Sequence, residues 1–203
     1  MLPDIASTPV LSVALGISLA AATGFRVFLP LLAAALAARA GWIPLNESFA
    51  WLQEDAALLM LGSATLIEGL AYFIPGLDHM LDLISAPAAL IAGAFISAAV
   101  MTRLPPGILW PLALVAGGGV AAVTKGSAAL VRAKTGLTTG GLGNPLIAAG
   151  ETVGSMGLSL LALALPLVCL LIVLALLAWA LRRLIRRRIQ ARDAGKGSPR
   201  GIG

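Results

Sequence analysis

Residues 145–181 read PLIAAGETVGSMGLSLLALALPLVCLLIVLALLAWAL, with Glu151 the single charged side chain in the run. A helix rises about 1.5 Å per residue and bilayer hydrocarbon is about 30 Å thick, so a membrane span takes roughly 20 predominantly apolar residues. At roughly 37 residues the run is too long for one upright span and too short for two full spans with a loop between them. It predicts one span whose N-terminal part is broken or inserted, with Pro166 as a kink. Four further stretches have the same character: residues 10–38, 56–74, 84–101 and 108–131. The chain is thus expected to be all-α, a polytopic transmembrane bundle of about five spans with Gly/Pro-broken segments (residues 1–181), followed by a basic tail (residues 182–203).

Composition agrees. The 203 residues are 59% hydrophobic and only 11% charged, against roughly a quarter charged in soluble domains. A water-soluble core is excluded. The net charge of +5 does not describe a nucleic-acid surface, because eight of the fourteen Lys and Arg residues lie beyond Leu181. Positive charge marks the cytoplasmic side. With five crossings, a cytoplasmic C-terminus places Arg39, Arg103 and the tail arginines inside, leaves Arg132 and Lys134 outside, and puts the N-terminus outside. The tail is expected to anchor at anionic lipid headgroups and then to become disordered. Residues 1–9 carry Asp4 and no Lys or Arg, the wrong start for a cleaved signal peptide, so the first apolar segment is expected to stay. A lone Cys169 supports neither a disulfide framework nor a thiolate metal cluster.

Two segments align with each other: EGLAYFIPGLDHMLDLISAPAALIAG from Glu68 and KGSAALVRAKTGLTTGGLGNPLIAAG from Lys125. Glu68-Gly69 falls on Lys125-Gly126, and with a one-residue shift Pro87 falls on Pro145. This suggests an internal repeat of helix, irregular polar connection and helix. The copies differ in sign, with Glu68, Asp78 and Asp82 in the first and Lys125, Arg132 and Lys134 in the second. A charge at the bilayer centre costs about 2.5–3.5 kcal/mol even on insertion scales, so Glu68 and Lys125 are expected to face inward and to pair. Arg26 and Glu151 fall under the same constraint.

GFRVFLPLL at residues 24–32, PGLDHMLDLISAPAA at 75–89 and the Gly-rich TGGLGNP, with Glu68 and Glu151, resemble a family of small bacterial integral membrane proteins known as a domain of unknown function. The resemblance covers nearly the whole chain up to the tail and implies the fold, without an activity. It also implies an acidic residue after Glu151, where this chain has Thr152.

Polar connections offer further candidates. In IPGLDHMLD (residues 74–82), Pro75-Gly76 makes a turn, with Asp78 and Asp82 placed to cap the next helix. His79 beside two carboxylates is a thin metal-ligand set, so no metal or other cofactor is expected. In TGLTTGGLGNP (residues 135–145), Gly136, Gly140, Gly141 and Gly143 permit backbone geometries that turn N–H groups toward an anion. Arg132, Lys134, Thr138, Thr139 and Asn144 would complete that site; a flexible loop uses the same residue types. Small residues four apart, at Gly16, Ala20 and Gly24 and at Gly150 and Gly154, predict close helix packing.

No HExxH occurs, and VGSMG lacks the first glycine of a nucleophile elbow, so enzymatic activity is not expected. These features favour a small transporter or channel-like protein of a bacterial inner membrane, with Arg26, Glu68, Lys125 and Glu151 lining an ion or solute pathway. A dimer is expected, because five spans enclose little cavity. The competing expectation is a structural or lipid-interacting membrane protein whose buried charges only fix packing.

Overall fold

A computed structural model describes residues 8–71, 77–139, 143–179 and 182, with residues 77–83 described by their backbone alone. Every regular element among them is helical. In order they are α1 (Pro9–Thr23), α2 (Phe28–Arg39), a 3-10 helix (Glu47–Gln53), α3 (Asp55–Ala71), α4 (Leu77–Val100), α5 (Pro106–Leu112), a π-helical segment (Ala113–Gly118), α6 (Gly119–Thr139), α7 (Asn144–Ala164) and α8 (Pro166–Trp179).

The interior is mainly apolar but also takes in polar and charged side chains, and many large apolar side chains lie at the surface. Ser12, Ser18, Thr23, Ser97, Ser155 and Ser159 are buried, together with Arg26, Lys125, Arg132 and Glu151. Large apolar side chains point outward, as in Leu59 (74% exposed), Val115 (74%) and Leu146 (79%). In water so much exposed apolar surface would be a liability, whereas in lipid it is the outer face. By length and composition two described helices suffice to cross a membrane: the continuous run Pro106–Thr139 and α7. Shorter apolar helices accompany them, among them the largely buried α1.

Small residues set how closely the inner helices approach. At the α4 crossing with the π-helical segment, a Cβ on Gly93 would lie 2.9 Å from Gly117 O, and one on Gly117 would lie 2.7 Å from Gly93 O. Ser97 Oγ donates to Gly16 O (3.1 Å), tying α4 to α1. The expected close packing at Gly16 is found, with Ser97 Cα 3.3 Å from a Cβ built there. At Gly150 and Gly154 it is not found: a Cβ on either meets nothing within 4 Å.

Two apolar stretches expected as single spans are each two helices. The first, residues 10–38, breaks between Thr23 and Phe28, and its halves run in opposite directions. Gly16 of α1 lies against Ser97 and Met101, at the C-terminal end of α4, while Thr23 Oγ1 reaches Ala89 O (3.5 Å) halfway down it. α1 therefore descends along α4. α2 returns, since Asn46 N, just beyond it, donates to Ala99 O (2.8 Å) at the upper end again. α3 descends beside α2, with Arg39 and Asp55 ion-paired at the top and Glu68 at the α2 N-terminus below.

The second, residues 145–181, reverses at Leu165 (φ −140°, ψ 71°). Cys169 Sγ lies 3.6 Å from Leu158 O, eleven residues back, where a straight helix would separate them by about 16 Å. Proline disfavours helical backbone in the residue before it, which is why α7 ends at Ala164 and Leu165 leaves the helical conformation.

The segments aligned as a repeat are helix pairs, α3–α4 and α6–α7, but their connections, residues 72–76 and 140–142, lie outside the described residues. The two helices carrying the aligned charges differ: α3 ends at Ala71, soon after Glu68, whereas α6 runs on from Lys125 to Thr139.

Candidate functional site

The break between α1 and α2 collects the buried charge. α1 ends where Thr23 Oγ1 donates to Ala20 O (2.7 Å) and Gly24, Phe25 and Arg26 N–H groups fold back on Ala21 and Ala22 carbonyls. Gly24 sits on the α6 backbone; a Cβ there would lie 2.7 Å from Ala121 O and 2.9 Å from Lys125 N. This contact brings α6, and Lys125 with it, to the level of the break.

The α2 N-terminus has no capping side chain of its own, because its N-cap is Val27. The cap comes from α3. Val27 N–H donates to Glu68 Oε1 (2.8 Å) and Phe28 N–H to Glu68 Oε2 (3.1 Å). A carboxylate here meets both orphan donors and the positive end of the helix dipole. Pro30, in the first turn, has no N–H to satisfy.

Arg26, 2% exposed, fastens the break to α7. Its Nη2 donates to Ala148 O (2.8 Å), its Nε to Thr152 Oγ1 (3.0 Å) and its Nη1 to the main-chain O of Glu68 (3.4 Å). Ser155 Oγ adds a bond to Ala22 O (3.1 Å). Thr152 thus serves as the acceptor for Arg26 at the position where the family resemblance implies an acid.

Lys125 (4% exposed) shares a buried face of α6 with Ala121, Ala128 and Arg132, at steps of four, three and four residues. Arg132 is ion-paired with Glu151 on α7, both buried. The structure therefore brings Arg26, Glu68, Lys125 and Glu151 around the break and into the α6–α7 seam beside it, but Glu68 meets the α2 N-terminus rather than Lys125. A discrete charge on another helix loses here to two backbone N–H groups already positioned by the turn.

Arg132 was expected in an outer connection and instead belongs to the interior, because α6 continues through the Gly/Thr stretch. The rest of the expected anion loop is mostly helix as well. Thr138 Oγ1 donates to Lys134 O (3.2 Å) and Thr139 Oγ1 to Thr135 O (2.7 Å), while Gly143 N–H donates to Thr139 Oγ1 (3.1 Å). These hydroxyls serve the helix end, Lys134 is exposed, and Asn144 begins α7. Gly140 and Gly141 lie outside the described residues, as do the side chains of Asp78, His79 and Asp82 in the first turns of α4.

The centre gathers donors on Arg26 and Lys125 and acceptors on Glu68 and Glu151, all buried except the half-buried Glu68. No curated protein and no solved structure matches the chain significantly. Residues 13–187 match the family described as Domain of unknown function (DUF4126), and with that span covering the break, the charged centre and both reversals, the chain belongs to this family.

Proposed function

We propose that the protein is a small multi-pass transporter or channel-like protein for a small solute or ion, with the charged centre at the α1–α2 break as its polar pathway. The observation that carries this reading is a pair of half-length helices meeting among Arg26, Glu68 and Lys125 inside an otherwise lipid-compatible molecule. Irregular backbone at membrane depth is tolerated only where protein buries it or a cavity hydrates it, and broken helices with facing charges are typical of ion and substrate sites. Glu68 is the exchangeable acceptor, its carboxylate being replaceable at the α2 N-terminus by a rearranged anion or neutralised by a proton. Arg26 and Lys125 supply the counter-charge, and Glu151 a second acceptor held by Arg132. We place the protein in a bacterial inner membrane with its basic tail on anionic lipid at the cytoplasmic face, as a dimer and without enzymatic activity.

A structural reading is favoured by one specific observation: Glu68 already caps a helix and Arg26 already fastens one. Flux decides between them. In proteoliposomes offered protons, monovalent ions and small carboxylates, the wild type is expected to move at least one solute. Glu68→Gln and Lys125→Met are expected to abolish that flux with the protein still folded. A flux unchanged in both variants would remove these residues from the pathway, and no flux from the wild type would favour the structural role.

A further inference from the structure

α6 descends and α7 ascends beside it, and between them an open slot faces outward. Thr124, Ala128 and Val131 on α6 line it opposite Ile147, Gly154 and Leu158 on α7. Two cavities of about 170 and 290 Å³ follow one another along the slot and share Phe25 as their floor. Leu176, Leu177 and Trp179 of α8 wall the cavity that Thr124 and Leu158 also line.

Three features point to one kind of occupant. From Ile147 to Leu158 the slot runs about 16 Å along the helix, against about 15 Å for one leaflet of a 30 Å hydrocarbon layer. Its α6 stripe, residues 124, 127 and 131, continues at helical spacing to the exposed Lys134, so an apolar channel ends in a basic mouth. Glu151 also lines it, but paired with Arg132 it adds no net charge. Gly150 and Gly154 have no packing partner that demands glycine, and their missing side chains are what leaves the slot open.

We propose that the slot is a phospholipid site, in which one acyl chain lies between α6 and α7 against Phe25 and an anionic headgroup phosphate is held at the mouth by Lys134. Glu151 belongs to both the slot and the proposed pathway, but Arg26, Glu68 and Lys125 do not line the slot, so lipid uptake in Gly154→Leu and flux in Glu68→Gln and Lys125→Met test the two readings separately.

Titration of the detergent-purified protein with dioleoyl phosphatidylglycerol, read by native mass spectrometry, tests this. The wild type is expected to take up one saturable lipid per protomer. Gly154→Leu fills the slot and is expected to weaken that binding at least about tenfold, with the melting temperature unchanged or raised because leucine is the better helix former. Lys134→Glu, at an exposed position that folding does not depend on, is expected to weaken it about fivefold or more. Equal affinity in wild type and a folded Gly154→Leu overturns the site. So does a wild-type dimer that Gly154→Leu dissociates while lipid uptake is unchanged, since the occupant would then be a second copy of the chain. If Gly154→Leu does not fold, unchanged affinity in Lys134→Glu overturns the headgroup placement.

Discussion

Glu68 performs for α2 what a Ser or Asp just ahead of a helix ordinarily performs, from a different helix. The stretch RVFLP places Val27 at the N-cap, so its backbone donors find an acceptor only through tertiary structure. That Glu68 must face inward was legible from its depth in an apolar segment. That its partner would be a helix end was not, because nothing in residues 10–38 marks a reversal except Gly24 and Pro30, both common in unbroken membrane helices. Glu68→Ala leaves the Val27 and Phe28 N–H groups without their carboxylate and is expected to cost about 1–2 kcal/mol, seen as a lower melting temperature in detergent. Glu68→Gln retains one acceptor and is expected to cost less. A double-mutant cycle between Glu68→Gln and Lys125→Met is expected to show coupling below about 0.5 kcal/mol, the limit for residues that do not share a contact. Coupling well above that would restore the direct pair expected from the aligned segments.

Helices were easier to foresee than their ends. The described residues of all five apolar stretches are mostly helical, yet the Gly/Thr run after Lys134 reads as a loop by composition and is helix up to Thr139. Local bonds carry the helix there, with the Thr135, Thr138 and Thr139 hydroxyls each donating to a carbonyl four residues back. The spacing of Ala121, Lys125, Ala128 and Arg132 was the available signal, since these residues fall on one helical face and carrying that face forward places Arg132 inside, opposite Glu151. Pro166 was visible as a break, but whether a proline kinks a helix or reverses it depends on what the two halves pack against, and that is set by α1 and α6. The α6–α7 seam makes a test at this scale. Arg132→Met removes the ion-pair partner of the buried Glu151 carboxylate and is expected to destabilise by about 3–5 kcal/mol. The double replacement Arg132→Met with Glu151→Leu removes both charges and is expected to recover most of that loss, as thermal unfolding in detergent will show. Failure to recover would mean that one of the two holds another contact of equal weight.

At the scale of the molecule, the two reversals change which ends of the chain share a side. α1 enters at the end that holds Met101, α2 returns there, α3 descends, α4 ascends and the long run Pro106–Thr139 descends. α7 then climbs only to Ala164, where α8 turns back, so that Trp179 lies near Phe25 and Ser127 rather than at the upper end. At about 22 and 18 Å, α1 and α2 are each shorter than the hydrocarbon layer, as suits a re-entrant pair. A chain of five simple crossings would put the α6–α7 connection and the residues after α8 on opposite sides of the membrane. The reversal at Leu165-Pro166 turns α8 back toward the end of the molecule where α6 ends and α7 begins, away from Arg39. Single cysteines introduced at Glu47, Thr138 and Arg182, in a Cys169→Ala background, read this out with a membrane-impermeant maleimide on right-side-out and inverted vesicles. Thr138→Cys and Arg182→Cys are expected to react from the same side and Glu47→Cys from the opposite one. If Thr138→Cys instead reacts from the side of Glu47→Cys, the long helix does not cross. If Arg182→Cys alone changes sides, α7 and α8 do not form the re-entrant pair, and the run that begins at Pro145 crosses once.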